Sequence, residues 1–203
     1  VHYPIRGGEQ VNIVAVLEDR VPQEGWSRSG NADTLAAAFA AFDGAARDLI
    51  ACVPHWRIWS LFDREPLDRW GEGSATLLGD AAHPMLPFLA QGAAMAIEDA
   101  STLARELAPL ARARASAGQS GIPNALAAGL RRYERARRPR TARAQREARR
   151  NALAYHGSWP IALARDLVLS RISSEGLLAR YDWLYGWRGG APARIGPASE
   201  AAR

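Results

Sequence analysis

The chain has 203 residues, of which 48% are hydrophobic and 23% charged, so it can bury a core, and its composition excludes wholesale disorder. The net charge of +5 comes from 26 arginines and no lysine against 21 acidic residues, and this arginine usage makes the basic balance a weak guide to partners. The one cysteine, Cys52, excludes an internal disulfide and a cysteine-based zinc site and is expected to be small, buried and apolar, and no apolar run approaches the roughly 18–20 residues of a membrane span.

Residues 1–72 predict strands and short helices. Two β-prone runs, at 1–5 and 11–17, indicate a hairpin, because Gly7 and Gly8 between them can supply the positive φ angles of a tight turn. The chain opens directly into this hairpin without a leader-like segment, and with its lone thiol we expect a cytoplasmic location by default.

Two helices and a strand are predicted next. Asn31 or Asp33 is suited to cap a helix that reaches Phe42, and a second short helix follows Gly44. Residues 55–62 alternate in polarity and are rich in tryptophan, which is typical of a half-exposed strand that roofs a pocket or joins a core.

A strand and a long helix come next. Residues 75–78 are predicted to form a short apolar strand of the kind found in the buried centre of a parallel sheet, and Gly79 and Asp80 close it. After a proline-containing loop, Gly92 opens a helix that runs to about Leu107. Its predicted apolar stripe consists of Ala93, Ala96, Ile97, Ala100, Leu103, Ala104 and Leu107.

The rest of the chain predicts, in order, a small polar loop, an arginine-laden helical region, two further helices and a flexible tail: residues 113–121, 126–151, 159–169, 177–184 and 189–203. The helical region is expected to be interrupted near Pro139. Its arginines are compatible with a nucleic-acid-binding module. The favoured interpretation is a solvated helix face paired with Glu134, Glu147 and neighbouring carboxylates, so we do not expect nucleic acid as a partner.

The chemistry of the chain is concentrated after residue 78. A buried strand that ends in Gly79 and Asp80 places a carboxylate where α/β sheets bind ligands, and it can accept hydrogen bonds from ligand hydroxyls. Gly92 then opens a helix whose free N–H groups and positive dipole end suit an anion or a polarised carbonyl. Together these features predict a site for a large polar cofactor.

Three further polar residues near this site favour plainer roles. His83 and Asp80 have metal-ligand spacing, but no further ligand cluster follows, so we expect loop packing and no metal. Glu98 and Asp99 are predicted to be helix-surface charges or helix–helix partners rather than catalysts.

The segment Gly79–Pro84, followed by Gln91 and Gly92 and by Glu98–Ala100, resembles the second FAD-binding motif of single-component flavin aromatic hydroxylases. This class contains the p-hydroxybenzoate, salicylate and 3-hydroxybenzoate hydroxylases. Further matches to the salicylate and 3-hydroxybenzoate branch are His2–Arg6, Asn12–Val14, Asp63–Pro66, Tyr133–Glu134, Arg138–Arg140, Tyr155–His156 and Tyr181–Tyr185. The resemblance covers the chain up to about Arg188.

The resemblance implies an α/β (α+β) fold made of the C-terminal part of a Rossmann-like FAD-binding domain, part of an antiparallel substrate-domain sheet, and C-terminal helices. Residues 1–72 would end the substrate-binding domain, residues 73–155 would form the second FAD-binding segment, and residues 156–188 would be C-terminal helices.

The resemblance also implies the FAD-binding positions Gly79, Asp80, Ala81, Pro84, Gln91, Gly92 and Ala93. Asp80 would hold the ribityl chain, and the backbone on either side of it would lie close to the pyrophosphate. Pro84 would lie beside the isoalloxazine ring and shape the substrate face. The N–H groups of Gly92 and Ala93 would point at N1 and C2=O of the flavin and stabilise the reduced anion.

The activity implied is hydroxylation of a phenolic aromatic acid, in which NAD(P)H reduces FAD, O2 adds to give a C4a-hydroperoxide and the phenol attacks its distal oxygen. His2 could deprotonate or bind the phenol, or equally could face solvent on its strand. The alternatives are an epoxidase or dehydrogenase on the same scaffold, and a cofactor-free arginine-rich interaction module.

Two departures from the family pattern matter. No Gly-x-Gly-x-x-Gly unit is present, so an N-terminal FAD-binding segment is a missing partner, and the chain alone is expected to bind FAD poorly or not at all. Pro87 stands where related hydroxylases can carry a polar substrate contact, which leaves the choice of substrate open. A homodimer is also left open.

Overall fold

The computed structural model describes residues 1–18, 25–116 and 122–189, and the chain divides into two units, Val1–Leu61 and Phe62–Arg203. The described residues contain three two-stranded antiparallel sheets and seven α-helices. None of the helices in these ranges combines the length and apolarity that crossing a bilayer requires.

The first unit opens with the predicted hairpin. Strands β1 (His2–Ile5) and β2 (Gln10–Ile13) pair antiparallel. Gly7 and Gly8 take φ angles of +68° and +96°, which other residues rarely adopt, so the turn that the glycines predicted is confirmed.

A second sheet in this unit joins β3 (Ser27–Gly30) to β4 (Trp56–Trp59), with Gly30 opposite Trp56. Strand β4 is the predicted tryptophan-rich strand, and it is partly exposed. Strand β3 was not predicted, because its serines, arginine and glycine lack β propensity and its pairing partner lies some thirty residues along the chain.

The two predicted helices of this unit are present. Helix α1 (Ala32–Ala38) is capped by Asn31, whose side chain accepts the amides of the next turn, but it ends before Phe42. Helix α2 (Gly44–Ala51) follows a cap at Asp43. Cys52, directly after α2, is exposed, so the expectation that it is buried was wrong: it lies at a helix end on the surface.

The second unit begins with a small hairpin of β5 (Gly71–Glu72) and β6 (Ala75–Thr76). The prediction that residues 75–78 lie in the buried centre of a parallel sheet was wrong for the described part of the chain, where every strand pairing is antiparallel. The reason is local: Gly73, at φ +52°, turns the chain back tightly enough for β6 to pair with its immediate predecessor.

Two long antiparallel helices dominate the second unit. Helix α3 (Gly92–Ser116) continues past Leu107, and so residues 113–116 are helical rather than the predicted loop, while 117–121 lie outside the described residues. Helix α4 (Ile122–His156) is continuous through Pro139, so the predicted interruption there was wrong. Extensive packing against α3 offsets the backbone hydrogen bond that the proline removes.

The buried face of α3 is not the predicted apolar stripe. Met95, Glu98, Asp99 and Thr102 are buried, whereas Ile97 is 71% exposed. Ala93, Ala100 and Ala104 of the predicted stripe are exposed as well. Glu98 and Asp99 are turned inward because α4 presents a buried arginine to them, and Met95 and Leu103 pack into the two apolar clusters. Ion pairing and apolar burial together therefore favour this rotation of the helix.

Three short helices follow α4. Helix α5 (Trp159–Leu169) has its predicted bounds, and α6 (Ser174–Ala179) and α7 (Asp182–Tyr185) replace the single helix predicted at 177–184. The tail predicted at 189–203 lies outside the described residues after 189.

The core of the second unit consists of two small clusters. One contains Trp70, Ala82 and Tyr133, and the other contains Met95, Ala144 and Leu184. The first lies under the turn after β6, and the second ties α3, α4 and α7 together.

Candidate functional site

A tight turn carries the exposed carboxylate of Asp80. Residues Gly79–Ala81 form one 3-10 turn, in which the Gly79 carbonyl accepts the amides of Ala82 and His83, both at 2.9 Å. Gly79 has φ +60°, and a Cβ there would lie 3.3 Å from Ala96 Cβ on α3, so both the backbone angle and the packing favour glycine. Asp80 itself makes no hydrogen bond or ion pair with the residues that the structure describes.

The start of α3 faces the same crevice as Asp80. A Cβ built on Gly92 would lie 3.7 Å from Asp80 Oδ1. The first helical hydrogen bond runs from the Met95 amide to the Gln91 carbonyl, which leaves the amides of the first turn without intrahelical acceptors. No acidic side chain occupies that turn. The Asp80 carboxylate therefore lies beside the positive end of α3.

The loop between the turn and α3 is fixed by side chains of α4. Gln145 is buried and donates to the Pro84 carbonyl at 2.9 Å and to the Arg64 carbonyl at 3.2 Å. Asn151 donates to the Phe88 carbonyl at 3.1 Å. Backbone carbonyls held in this way keep the proline-containing loop in one position beside the crevice.

Arg64 holds the turn from the other side. Its guanidinium donates to the carbonyls of Ala81 and, at 3.3 Å, Ala82. The Arg64 carbonyl is in turn held by Gln145, so the turn and the loop share one anchor on α4.

Beneath the turn lies a fully buried carboxylate, Asp99. Its Oδ2 accepts the Gly79 amide at 3.1 Å and His83 Nε2 at 2.6 Å, and its Oδ1 accepts Arg137 Nε at 2.6 Å. Burial by itself would raise the pKa of Asp99, but the hydrogen bonds from His83, Arg137 and Gly79 outweigh it and hold the pKa below its ordinary value. Asp99 is therefore charged at neutral pH.

A second carboxylate extends this buried network to the C-terminal helices. Glu98 accepts Arg137 Nη1 at 2.7 Å and two N–H groups of Arg140, at 2.6 and 2.7 Å. Arg140 also donates to the backbone carbonyls of Trp183 and Leu184, which anchors α7. The helix–helix role expected for Glu98 and Asp99 is thus present in the structure, although both are buried rather than on the helix surface.

The expected solvated face of α4 holds for part of the arginine-rich stretch. Arg150 is exposed and pairs with Glu147, as predicted, and Arg131 pairs with Glu134, although Glu134 is buried rather than solvated. Arg137, however, is 1% exposed, so for this residue the expectation was wrong. A buried guanidinium is tolerated because two carboxylates of α3 neutralise it.

His83 packs inside the loop, as expected. Its ring is fully buried 5.4 Å from the Trp70 ring, and its Nδ1 has no partner among the described residues. Tyr133 closes the same cluster and donates to the Leu77 carbonyl at 3.3 Å. Burial and then the Asp99 charge raise its pKa above the ordinary value, so the phenol stays protonated. Within the described ranges no three His, Cys, Asp or Glu side chains gather to hold a metal.

The structure brings together most of the residues singled out in the sequence. The turn, the loop and the start of α3 contain Gly79, Asp80, Ala81, Pro84, Gln91, Gly92 and Ala93. His2 belongs to the first unit, where it is exposed on β1 opposite Ile13. The contacts of Asp99 with Gly79 and His83 and the burial of Arg137 were not predicted. The available signal was the spacing of Met95, Asp99 and Thr102, which share one helix face.

Comparisons with known proteins show which family this chain resembles. A family model described as an FAD binding domain matches residues 3–148. The chain is 37% identical over 188 residues to a 3-hydroxybenzoate 6-hydroxylase of Klebsiella oxytoca, covering 93% of this chain and 44% of that protein. It is 35% identical over 190 residues to a salicylate hydroxylase of Pseudomonas putida, covering 90% of this chain and 41% of that protein.

Solved structures give the same result. A substrate complex of salicylate hydroxylase matches with a TM-score of 0.68 at 26% identity, over 93% of this chain and 44% of that one. Klebsiella pneumoniae HpxO complexed with FAD and uric acid matches with a TM-score of 0.59 at 27% identity, over 74% of this chain and 37% of that one. The chain thus spans less than half the length of each of these four proteins.

Proposed function

The chain belongs to the FAD-binding domain family, and from this premise we propose that it is the C-terminal part of a single-component FAD-dependent aromatic hydroxylase. The coverage of the relatives supports this proposal: nearly the whole chain aligns with the 3-hydroxybenzoate 6-hydroxylase of Klebsiella oxytoca and with the two salicylate hydroxylases, while more than half of each of these three proteins has no counterpart in it. The mixed fold implied by the resemblance is confirmed by the structural match to salicylate hydroxylase.

The crevice beside Asp80 suits a flavin cofactor. Asp80 is exposed and has no hydrogen-bond or ion-pair partner in the described residues. The first turn of α3 itself contains no acidic residue. The observation that carries the proposal is the closeness of Asp80 to the start of α3: a Cβ on Gly92 would lie 3.7 Å from Asp80 Oδ1, so the carboxylate and the first helical amides can contact one ligand. A suitable ligand has hydroxyl groups that can donate to the Asp80 carboxylate and an electron-accepting carbonyl that can accept from the first amides of α3.

FAD would be held by side chain and backbone in turn. Asp80 would accept hydrogen bonds from the ribityl hydroxyls, and the backbone of Gly79 and Ala81 would lie near the pyrophosphate. The amides of Gly92 and Ala93 would face the pyrimidine part of the ring. When bound, FAD would supply the redox chemistry, in which NAD(P)H is the reductant and O2 provides the oxygen atom.

The contribution of this chain is electrostatic and positional. The uncapped start of α3 would stabilise the negative charge that the reduced cofactor carries, because a helix N-terminus bears a partial positive charge. Pro84, whose carbonyl is held by Gln145, would present a fixed wall to the ring and the substrate. His2 would bind the substrate phenol or take its proton, and this assignment remains a prediction.

We propose a phenolic aromatic acid of the salicylate or hydroxybenzoate type as substrate. The relatives from Klebsiella oxytoca and Pseudomonas putida are named for such substrates. The exposed Pro87 has no side-chain hydrogen-bond donor, so polar contacts with the substrate would come from other residues. An upstream FAD-binding segment would complete the protein, and supply of NAD(P)H favours the cytoplasm; a homodimer stays a prediction.

The proposal is tested on the full-length protein. The purified protein should be yellow, and hydroxybenzoates should accelerate NAD(P)H oxidation with a hydroxylated product identified by mass. Accelerated oxidation with an epoxide or a dehydrogenated product would favour another flavin reaction on this scaffold. A colourless protein with a steeply salt-dependent affinity for nucleic acid would overturn the proposal in favour of an arginine-rich interaction module.

A further inference from the structure

One buried carboxylate grips both ends of the turn that carries Asp80. Asp99 Oδ2 accepts the amide of Gly79, the residue before Asp80, at 3.1 Å. The same oxygen lies 2.6 Å from Nε2 of His83, three residues after Asp80. Since the imidazole faces a carboxylate, Nε2 carries the proton and donates. The exposed side chain of Asp80 is thus bracketed by two hydrogen bonds to one atom.

Asp99 lies on the helix whose first turn forms the other wall of the crevice. It follows Gly92 by seven residues, which is two helical turns or about 10 Å along the axis. A helix is stiff over this length, so the position of the Asp99 carboxylate relative to the amides at the helix start is fixed. The hydrogen bonds from Gly79 and His83 therefore tie the turn that carries Asp80 directly to α3, whereas Arg64 holds the same turn from the side of α4.

A charged carboxylate is needed for this arrangement. Asp99 accepts three donors, the third being Arg137, whose Nε lies 2.6 Å from Oδ1. An amide at this position would present two N–H groups to one side of this donor set and would repel it. Glu98 shares the same arginine through Nη1 at 2.7 Å, but in the described part of the chain its hydrogen bonds go to Arg137 and Arg140 and none goes to the turn. Of these two neighbouring carboxylates, only Asp99 accepts hydrogen bonds from the turn that carries Asp80.

We propose that Asp99 is a positioning residue for the cofactor, setting the distance between Asp80 and the start of α3 without touching the ligand. This inference rests on the proposed function, because it concerns the affinity of the same crevice for FAD. Asp99 is fully buried, so its effect on the cofactor has to pass through the turn. A purely structural role would instead lower stability and leave the affinity of the folded protein unchanged.

The test compares Asp99→Asn with Glu98→Gln in the full-length apoprotein, titrated with FAD at a temperature where circular dichroism shows each variant folded. We expect both variants to unfold at lower temperature than the wild type. Only Asp99→Asn should raise the FAD dissociation constant, by about tenfold or more, while Glu98→Gln stays within about twofold. The visible spectrum of bound FAD should change in Asp99→Asn alone.

The FAD affinities of these variants separate a failure of the positioning role from a failure of the proposed function. Equal affinities in both variants, or equal losses, would overturn the positioning role. Failure of the wild type itself to bind FAD would refute the proposed function instead, so the two failures are distinguishable. If Asp99→Asn does not fold, the pair His83→Ala and His83→Gln replaces it: the alanine variant should weaken FAD binding several-fold, and the glutamine variant, which keeps an N–H donor, should restore it. Equal affinities in that pair would also overturn the role.

Discussion

Arg137 Nε lies 2.6 Å from Asp99 Oδ1, and both side chains are almost fully buried between α3 and α4. Glu98 occupies another part of the same guanidinium, and Met95 contributes its carbonyl at 3.3 Å. The polar contact thus joins two helices and, through Asp99, the turn that carries Asp80. Its integrity should matter for both the stability of the second unit and the shape of the crevice.

Removal of the Arg137 side chain should be strongly destabilising. In Arg137→Ala two carboxylates lose a buried cation, and we expect a loss of about 3–5 kcal/mol in the free energy of unfolding, measured by urea denaturation. Arg132→Ala is the matched control on the same helix, because Arg132 pairs with Glu106 at the surface and should cost less than about 1 kcal/mol. Similar losses in both variants would contradict the buried network.

The contribution of Asp99 to stability should depend on pH. Its pKa is lowered in the folded chain from an unfolded value of 3.8, so the stabilisation is fully present above that value and is lost as the pH falls through the lower folded pKa. Urea denaturation of the wild type and Asp99→Asn should therefore show a gap that is constant near neutral pH and narrows below about pH 4. A gap that stays the same down to pH 2.5 would show that the charge of Asp99 is not what stabilises the fold.

Two glycine substitutions should have opposite effects, one on FAD affinity and the other on stability. A Cβ at Gly92 meets only Asp80 Oδ1, at 3.7 Å, so Gly92→Ala should leave stability within about 0.5 kcal/mol while it weakens FAD binding. A Cβ at Gly71 would collide with the backbone of Ala75 and Thr76, so Gly71→Ala should cost about 1–3 kcal/mol and spare FAD affinity in the molecules that remain folded. Thermal unfolding and FAD titration of both variants provide the check, and the reverse pattern would argue against the crevice as the binding site.

The parts of the site that depend on neighbouring residues could be predicted from the sequence. Gly79 needs a positive φ and a close approach to α3, and Gly92 opens a helix, so the turn and the helix start follow from local chemistry. The pairing of β3 with β4 could not be predicted, because the partners are distant and the serine-rich strand carries no pattern.

The buried polar face of α3 could not be predicted from the sequence for a related reason. Asp99 and Arg137 are 38 residues apart, and a rule that places apolar residues inside selects Ile97 and Ala100 instead. The approach of Arg137 from α4, together with the burial of Met95, makes the opposite face the buried one. Likewise, the continuity of α4 through Pro139 is decided by packing against α3, which local helix propensity does not contain.

The proposed flavin site depends most directly on Asp80 as a cofactor ligand, and the FAD dissociation constant of the full-length protein tests this role. Asp80→Ala should raise that constant by about 10–100-fold while circular dichroism and thermal unfolding stay unchanged, because the side chain is exposed and makes no contact that the fold needs. Asp68→Ala, which removes another exposed carboxylate of the same unit, should bind FAD as the wild type does. Wild-type affinity in Asp80→Ala would contradict the assignment of the crevice between Asp80 and Gly92 as the flavin site.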